Sequence, residues 1–168
     1  MSAALSLSRR ALLMAAGTAV SACGFELRRP PELRFRTIQL AGFKPRSPLF
    51  DELRASINAS TTTLVVEALT QAQVVLEVLT DAREKVVVAS NSVGQVTELQ
   101  LRARFGFRLR SVAGKELIPA AEIVLSRDLS YTESAALGKE QEEALLYRTM
   151  QSDIVAQVLR RLASVQVI

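Results

Sequence analysis

Residues 97–110, TELQLRARFGFRLR, alternate strictly between two kinds of side chain, and this stretch decides the fold. The odd positions run from Thr97 through leucine, alanine and phenylalanine to Leu109, while most even positions are charged. A period of two is typical of a β-strand that buries one face and leaves the other open. The pattern therefore predicts an antiparallel sheet that is covered on one side only.

Flanking segments extend this sheet in both directions. Val112–Gly114 predicts a turn and residues 117–129 a return strand, while Gly106 indicates a bulge or a close backbone approach. A charged turn is predicted at Asp81–Lys85, and Asn91–Gly94 supplies another turn. Alternating or β-branched runs predict further strands at 35–40, 64–66, 74–79 and 86–88.

Two segments have the period of a helix. Ser47 and Pro48 suit an N-cap and a first helical residue, and the leucines and isoleucine that follow recur every four residues up to Ile57. A second helix of about 24 residues is predicted from Lys139, with one apolar stripe that includes Met150. The order predicts one α+β domain over residues 35–168, a two-layer sandwich. Its two helices pack on one face of a mostly antiparallel, roughly four-stranded sheet.

The composition favours binding over chemistry. The 168 residues include no His and no Trp, so a Ser-His-Asp triad cannot be built and the commonest zinc ligand is missing. We expect no catalytic residues, no metal and no cofactor. Without residues 1–22 the chain has 19 basic and 17 acidic side chains, a balance that argues against nucleic acid as a partner.

The amino-terminal residues predict export and lipid attachment. Arg9 and Arg10 precede an uncharged run that is too short to cross a bilayer, and residues 20–23, VSAC, contain the one cysteine. This motif resembles the lipobox of bacterial lipoproteins, which implies a signal peptide over residues 1–22 and acyl chains on Cys23. Residues 23–34 would form a tether, and Gly24 favours the outer membrane. The alternative is that Cys23 is a buried free thiol. The export route, general or twin-arginine, stays open.

The even positions of the central strand are the candidate binding site. Successive side chains on one strand face lie about 6.6–6.8 Å apart, and guanidinium groups bind phosphate through two hydrogen bonds. The alternative is a strand face that long charged side chains merely keep solvated. The candidate ligand-binding residues on this strand are Arg102, Arg104, Arg108 and Arg110.

The order of three motifs carries a family resemblance. Residues 23–28, CGFELR, residues 127–131, RDLSY, and residues 138–142, GKEQE, resemble the LPS-assembly lipoprotein LptE (RlpB) family. The resemblance implies an outer-membrane lipoprotein that faces the periplasm, plugs the lumen of the β-barrel LptD, assists its assembly and binds lipopolysaccharide. It also implies that Lys139, at a basic position of the family, belongs to the ligand site. The alternative is a generic lipid-anchored periplasmic adaptor or pilot protein for another envelope complex.

Overall fold

The computed structural model describes residues 32–132 and 136–166. The predicted signal peptide, Cys23 and all but the last three residues of the predicted tether lie outside the described residues. The elements are β1 Thr37–Ala41, α1 Pro48–Asn58, β2 Leu64–Val66, a 3-10 turn Leu69–Gln71, β3 Val74–Ser90, β4 Val96–Ser111, β5 Glu116–Ser130 and α2 Ala136–Ala163.

The described strands form one mixed five-stranded sheet in the order β2-β1-β3-β4-β5. The predicted α+β class with two helices is confirmed, and the predicted roughly four-stranded, mostly antiparallel sheet agrees in outline, with one strand more than predicted and a parallel part. β3, β4 and β5 are antiparallel neighbours, but β1 runs parallel to both β2 and β3. The reason is that α1 carries the chain back across the sheet, and a helical crossover joins parallel strands.

The predicted charged turn at Asp81–Lys85 is wrong, because β3 runs without interruption from Val74 to Ser90. This segment pairs with Phe105 through Leu101 of β4, whose odd positions are buried. Its alternate side chains therefore share the helix-covered face although they are charged. The chain turns at Asn91–Gly94, where the second turn was predicted. There the Asn91 side chain accepts hydrogen bonds from the backbone N–H groups of Val93 and Gln95.

β3 contains a bulge that faces Gly106. The register with β4 shifts between Val78 and Thr80, opposite Phe107 and Gly106. A Cβ atom on Gly106 would lie 3.2 Å from the Thr80 Cβ and 3.4 Å from the Thr80 backbone nitrogen. The predicted close approach at Gly106 is therefore confirmed, and it leaves little room for any side chain there.

One core fills the space between the sheet and the two helices. Ser47 caps α1 by accepting a hydrogen bond from the Phe50 N–H at 3.3 Å, as predicted. α2 begins at Ala136, three residues before the predicted start, because Gly138 weakens the local helical signal. The buried residues alternate on β4 and recur with helical spacing on the helices; they include Leu53, Ile57, Leu101, Phe105, Phe107, Met150, Val158 and Leu162. Within the described chain, neither helix combines the length and apolarity needed to span a bilayer.

The described body has two distinct ends. At one end, the Gln73 side chain accepts the Arg36 N–H and its backbone oxygen accepts the Val112 N–H, so the residues that precede β1 lie beside the β4–β5 turn. We call this the tether end. The Asn91–Gln95 turn between β3 and β4 marks the hairpin end. At about 3.3 Å per residue, β3 separates the two ends by roughly 55 Å.

Candidate functional site

The predicted arginine row lies on the outer face of the sheet, the face that the helices do not cover. The even positions of β4 point outward because its odd positions, from Leu99 to Leu109, are buried in the core. The four arginines are half-buried or exposed along one strand. The sequence therefore predicted their common face correctly, but it could not show what lies beside them on the neighbouring strands.

Glu77 of β3 binds two of these arginines. Arg108 Nε lies 2.6 Å from Glu77 Oε2, and Arg110 Nε lies 2.5 Å from Glu77 Oε1. The hydrogen bond from Arg110, followed by the one from Arg108, lowers the pKa of the Glu77 carboxyl group below its ordinary value. Glu77 is therefore ionised at neutral pH, and its single negative charge is shared by two guanidinium groups.

Arg104 lies between two carboxylates from opposite sides. Its Nη2 is 3.0 Å from Glu122 Oε1 on β5, and its Nη1 is 3.5 Å from Glu84 Oε1 on β3. These contacts, with Glu122 the stronger, raise the pKa of Arg104. Arg102 instead donates from Nε to Gln100 Oε1 at 2.8 Å, and no carboxylate of the described residues lies within 4.0 Å of it. An anionic ligand would therefore compete with glutamates at three of the four arginines.

Lys139 does not join the arginine row. It lies in the first turns of α2, where its Nζ donates to Ser130 Oγ at 3.2 Å and contacts Glu142 Oε2 at 2.8 Å. Ser130 ends β5 at the hairpin end, whereas Arg110 pairs with Glu116 at the other end of that strand. The structure thus places the five predicted ligand-binding residues along most of the body, and Lys139 on the helix layer.

A polar cleft on the inner side of β3 was missed by the sequence analysis. It has a volume of about 800 Å³ and lies between β3, the start of α1 and the first half of α2. The Arg83 guanidinium stacks 5.3 Å from the Tyr147 ring centroid and donates to Gln151 Oε1 at 2.9 Å. Gln151, on α2, in turn donates to Oε2 of Glu52, on α1, at 2.6 Å. These hydrogen bonds join both helices to Arg83 of the sheet.

Two further groups of the cleft have shifted pKa values. An ion pair with Glu143 raises the pKa of Lys85, and burial, followed by the nearby Glu143 charge, raises the pKa of Tyr147. The Tyr147 hydroxyl stays protonated and donates to the Glu84 backbone oxygen at 2.7 Å. The charged residues Asp81, Arg83 and Lys85 alternate along the sequence as on one face of a strand. This pattern could have indicated the cleft, but the segment was predicted as a turn.

Comparison with known proteins identifies the family. Residues 35–162 match the LptE lipopolysaccharide-assembly family. Lipoprotein B from Nitrosomonas europaea, an NMR structure, is 30% identical; the alignment covers 84% of this chain and 91% of that chain, with a TM-score of 0.71. No curated protein sequence matches the chain at a significant level.

Two crystal structures share the fold at lower identity. Rare lipoprotein B from Shewanella oneidensis is 22% identical over 77% of this chain and 95% of its own, with a TM-score of 0.65. A minor lipoprotein from Acinetobacter baumannii is 20% identical over 79% and 94%, with a TM-score of 0.64. The sandwich of two helices on a mixed sheet, the match over residues 35–162 and the Nitrosomonas relative agree, and the chain belongs to the LptE family of lipopolysaccharide-assembly lipoproteins.

Proposed function

We propose that this protein is an outer-membrane lipoprotein that plugs an LptD-like β-barrel, assists the assembly of that barrel and binds lipopolysaccharide during insertion into the outer leaflet. The family match over residues 35–162 carries the proposal, because that family consists of non-catalytic lipoproteins with a role in lipopolysaccharide assembly. The function therefore depends on surfaces and charges rather than on a reaction centre.

Acylated Cys23 would hold the tether end at the membrane. Each buried acyl methylene contributes about 0.8 kcal/mol, and more than one chain is needed for stable anchoring, so a multiply acylated cysteine suffices. The hairpin end would then lie at the far end of the body, roughly 55 Å from the tether end. Intact-mass measurement of protein from membranes tests this step. An unmodified Cys23 on a freely soluble product would contradict it.

The outer face of the sheet suits the lumen of a barrel. Barrel interiors are polar, and this face carries arginines, glutamates and glutamines rather than a continuous apolar surface. Tagged full-length protein, purified from detergent extracts of membranes, should co-purify with a large β-barrel protein at equal stoichiometry. Recovery of a different envelope complex would instead favour the generic adaptor or pilot role.

Lipopolysaccharide binding is the most specific part of the proposal. The phosphates of lipid A would be bound by Arg102, the one arginine of the row without a carboxylate within 4.0 Å among the described residues, and by arginines released from their glutamates. Lys139 would contribute at the hairpin end. We expect neutralisation of all five residues, with each Arg and Lys changed to Gln, to reduce lipopolysaccharide recovery in a pull-down at least tenfold.

A control variant removes three positive charges from parts of the helices away from the proposed site. Arg54→Gln, Arg148→Gln and Arg160→Gln change exposed cations that lie off the outer face and should leave binding unchanged. Glu77→Gln should strengthen binding, because it frees Arg108 and Arg110 for phosphate. Equal losses of binding per charge removed in the two variants would indicate nonspecific charge attraction, and unchanged binding in the five-residue variant would refute the site.

A further inference from the structure

One side of β3 has no strand beside it over most of its length. β1 pairs with Val74 through Glu77 and then leaves the sheet at Gly42. Among residues 32–132 and 136–166, no strand pairs with the remaining stretch Val78–Ser90 on that side, while β4 occupies the other side. The backbone groups that point away from β4 therefore form an open sheet edge about 40 Å long.

Side chains donate to backbone oxygens of β3 in the first half of this stretch but not in the second. Lys44 Nζ donates to the Asp81 backbone oxygen at 2.9 Å, and the Tyr147 hydroxyl donates to the Glu84 backbone oxygen. Beyond Glu84, no side chain of the described residues makes a hydrogen bond to the β3 backbone. The second half contains Val86, Val87 and Val88, which are 37%, 52% and 47% exposed. Three exposed β-branched residues on an edge favour pairing with another strand.

The polar cleft borders the same edge on the inner side. Alternate residues of a strand added beside β3 would point into its volume of about 800 Å³, since side chains alternate across a sheet. Its walls carry three positive and three negative side chains, which suits polar residues of either sign; these are Arg83, Lys85, Arg148, Glu52, Glu140 and Glu143. Edge and cleft together have the two parts of a strand-addition site, a backbone ladder and side-chain pockets.

We propose that an extended segment of the barrel partner adds to the open edge of β3 as a new strand, with aliphatic residues beside the valines and polar residues at the positions that enter the cleft. This inference rests on the proposed function, because it names where the barrel protein contacts the plug. Only a polypeptide backbone supplies the alternating donors and acceptors that such an edge requires, which excludes a lipid as the ligand of this edge.

Hydrogen exchange on the purified complex of full-length protein and barrel tests the proposal. Amides of residues 85–90 should exchange at least tenfold more slowly in the complex than in the free protein, while those of the opposite edge strand β5 change less. Unchanged exchange at residues 85–90 in an intact complex would overturn strand addition and leave the plug role standing. Failure to recover any complex would refute both.

A matched pair of variants provides a second readout. Val87 on β3 and Leu145 on α2 are 52% and 59% exposed, and Leu145 lies on the solvent side of the helix layer, away from both the edge of β3 and the outer face. Val87→Lys should lower barrel recovery at least tenfold, because a charge on an edge opposes strand pairing, whereas Leu145→Lys should not. Circular dichroism should show both variants folded. Equal recovery with both variants would overturn the proposal. It would also be overturned if light scattering showed that the free protein is a dimer and that Val87→Lys makes it a monomer, because the edge would then bind a second copy of this chain.

Discussion

The carboxylate of Glu77 is where the outer face is most sensitive to a single substitution. Glu77→Gln keeps the size of the side chain but removes the charge that Arg108 and Arg110 share at 2.6 and 2.5 Å. Exposed ion pairs contribute about 0.2–1 kcal/mol each, and these two are short and only 20% exposed on the glutamate side, which favours the upper half of that range.

The loss leaves two guanidinium groups facing each other without an intervening charge. Their mutual repulsion is already present in the wild type, so the expected cost is the loss of the two ion pairs alone, about 0.6–1 kcal/mol each. We therefore expect Glu77→Gln to lower the free energy of unfolding by about 1–2 kcal/mol at pH 7, which corresponds to roughly 4–8 °C in Tm for a domain of this size. Urea unfolding followed by circular dichroism measures the difference.

The pH dependence gives this prediction its sharpest control. The pKa of Glu77 is lowered in the folded protein, so its contribution to stability is present above the unfolded-state pKa and is lost as pH falls through the folded-state value. The difference between wild type and Glu77→Gln should therefore be constant near neutral pH and shrink in acid. Glu122→Gln, which removes an exposed partner of a single arginine, should cost less than about 0.5 kcal/mol. A Glu77→Gln effect below that of Glu122→Gln, or one independent of pH, would refute the reasoning.

Three further predictions concern the body of the protein. Gly106→Ala should destabilise the protein by about 1–3 kcal/mol, because the new Cβ would lie 3.2 Å from the Thr80 Cβ. Gly138→Ala has nothing within 4 Å of its new Cβ and should stabilise α2 by up to about 1 kcal/mol, so the Tm values of the two variants should shift in opposite directions. Ser47→Ala removes the α1 cap and should cost about 1 kcal/mol in urea unfolding, with no change in the slope. Phe107→Ala empties a fully buried position and should cost about 3–5 kcal/mol; a loss below 1 kcal/mol would mean that this part of the core is misassigned.

Much of the fold was predictable because two periodicities are clear in the chain. The alternation over residues 97–110 predicted a half-buried strand, and the apolar spacing around Leu53 and Met150 predicted both helices. The length of β3 was not predictable. Asp81–Lys85 is mostly polar, so no apolar alternation marked it as a strand, and the inward Arg83 and Lys85 have their partners on the distant helix α2.

The candidate site was predictable only in part. The common face of the arginines follows from their even spacing. Their partners Glu77, Glu84 and Glu122 lie on β3 and β5, and which arginine each one faces depends on the strand register, including its shifts at the bulges. The open edge of β3 could not be predicted from the sequence either, because it depends on how far β1 extends beside β3. The lipid attachment at Cys23 stays a prediction, since that residue lies outside the described ranges.

The strand order also has a consequence for how the chain folds. β3, β4 and β5 follow one another directly, so their hairpins close short loops and can form early. β1 can join this meander only after the chain beyond residue 74 is available, because its partner β3 lies more than thirty residues downstream. We expect the β3–β5 meander to assemble first and the amino-terminal strands with α1 to dock onto it, so that the segment next to the predicted lipid attachment site folds last.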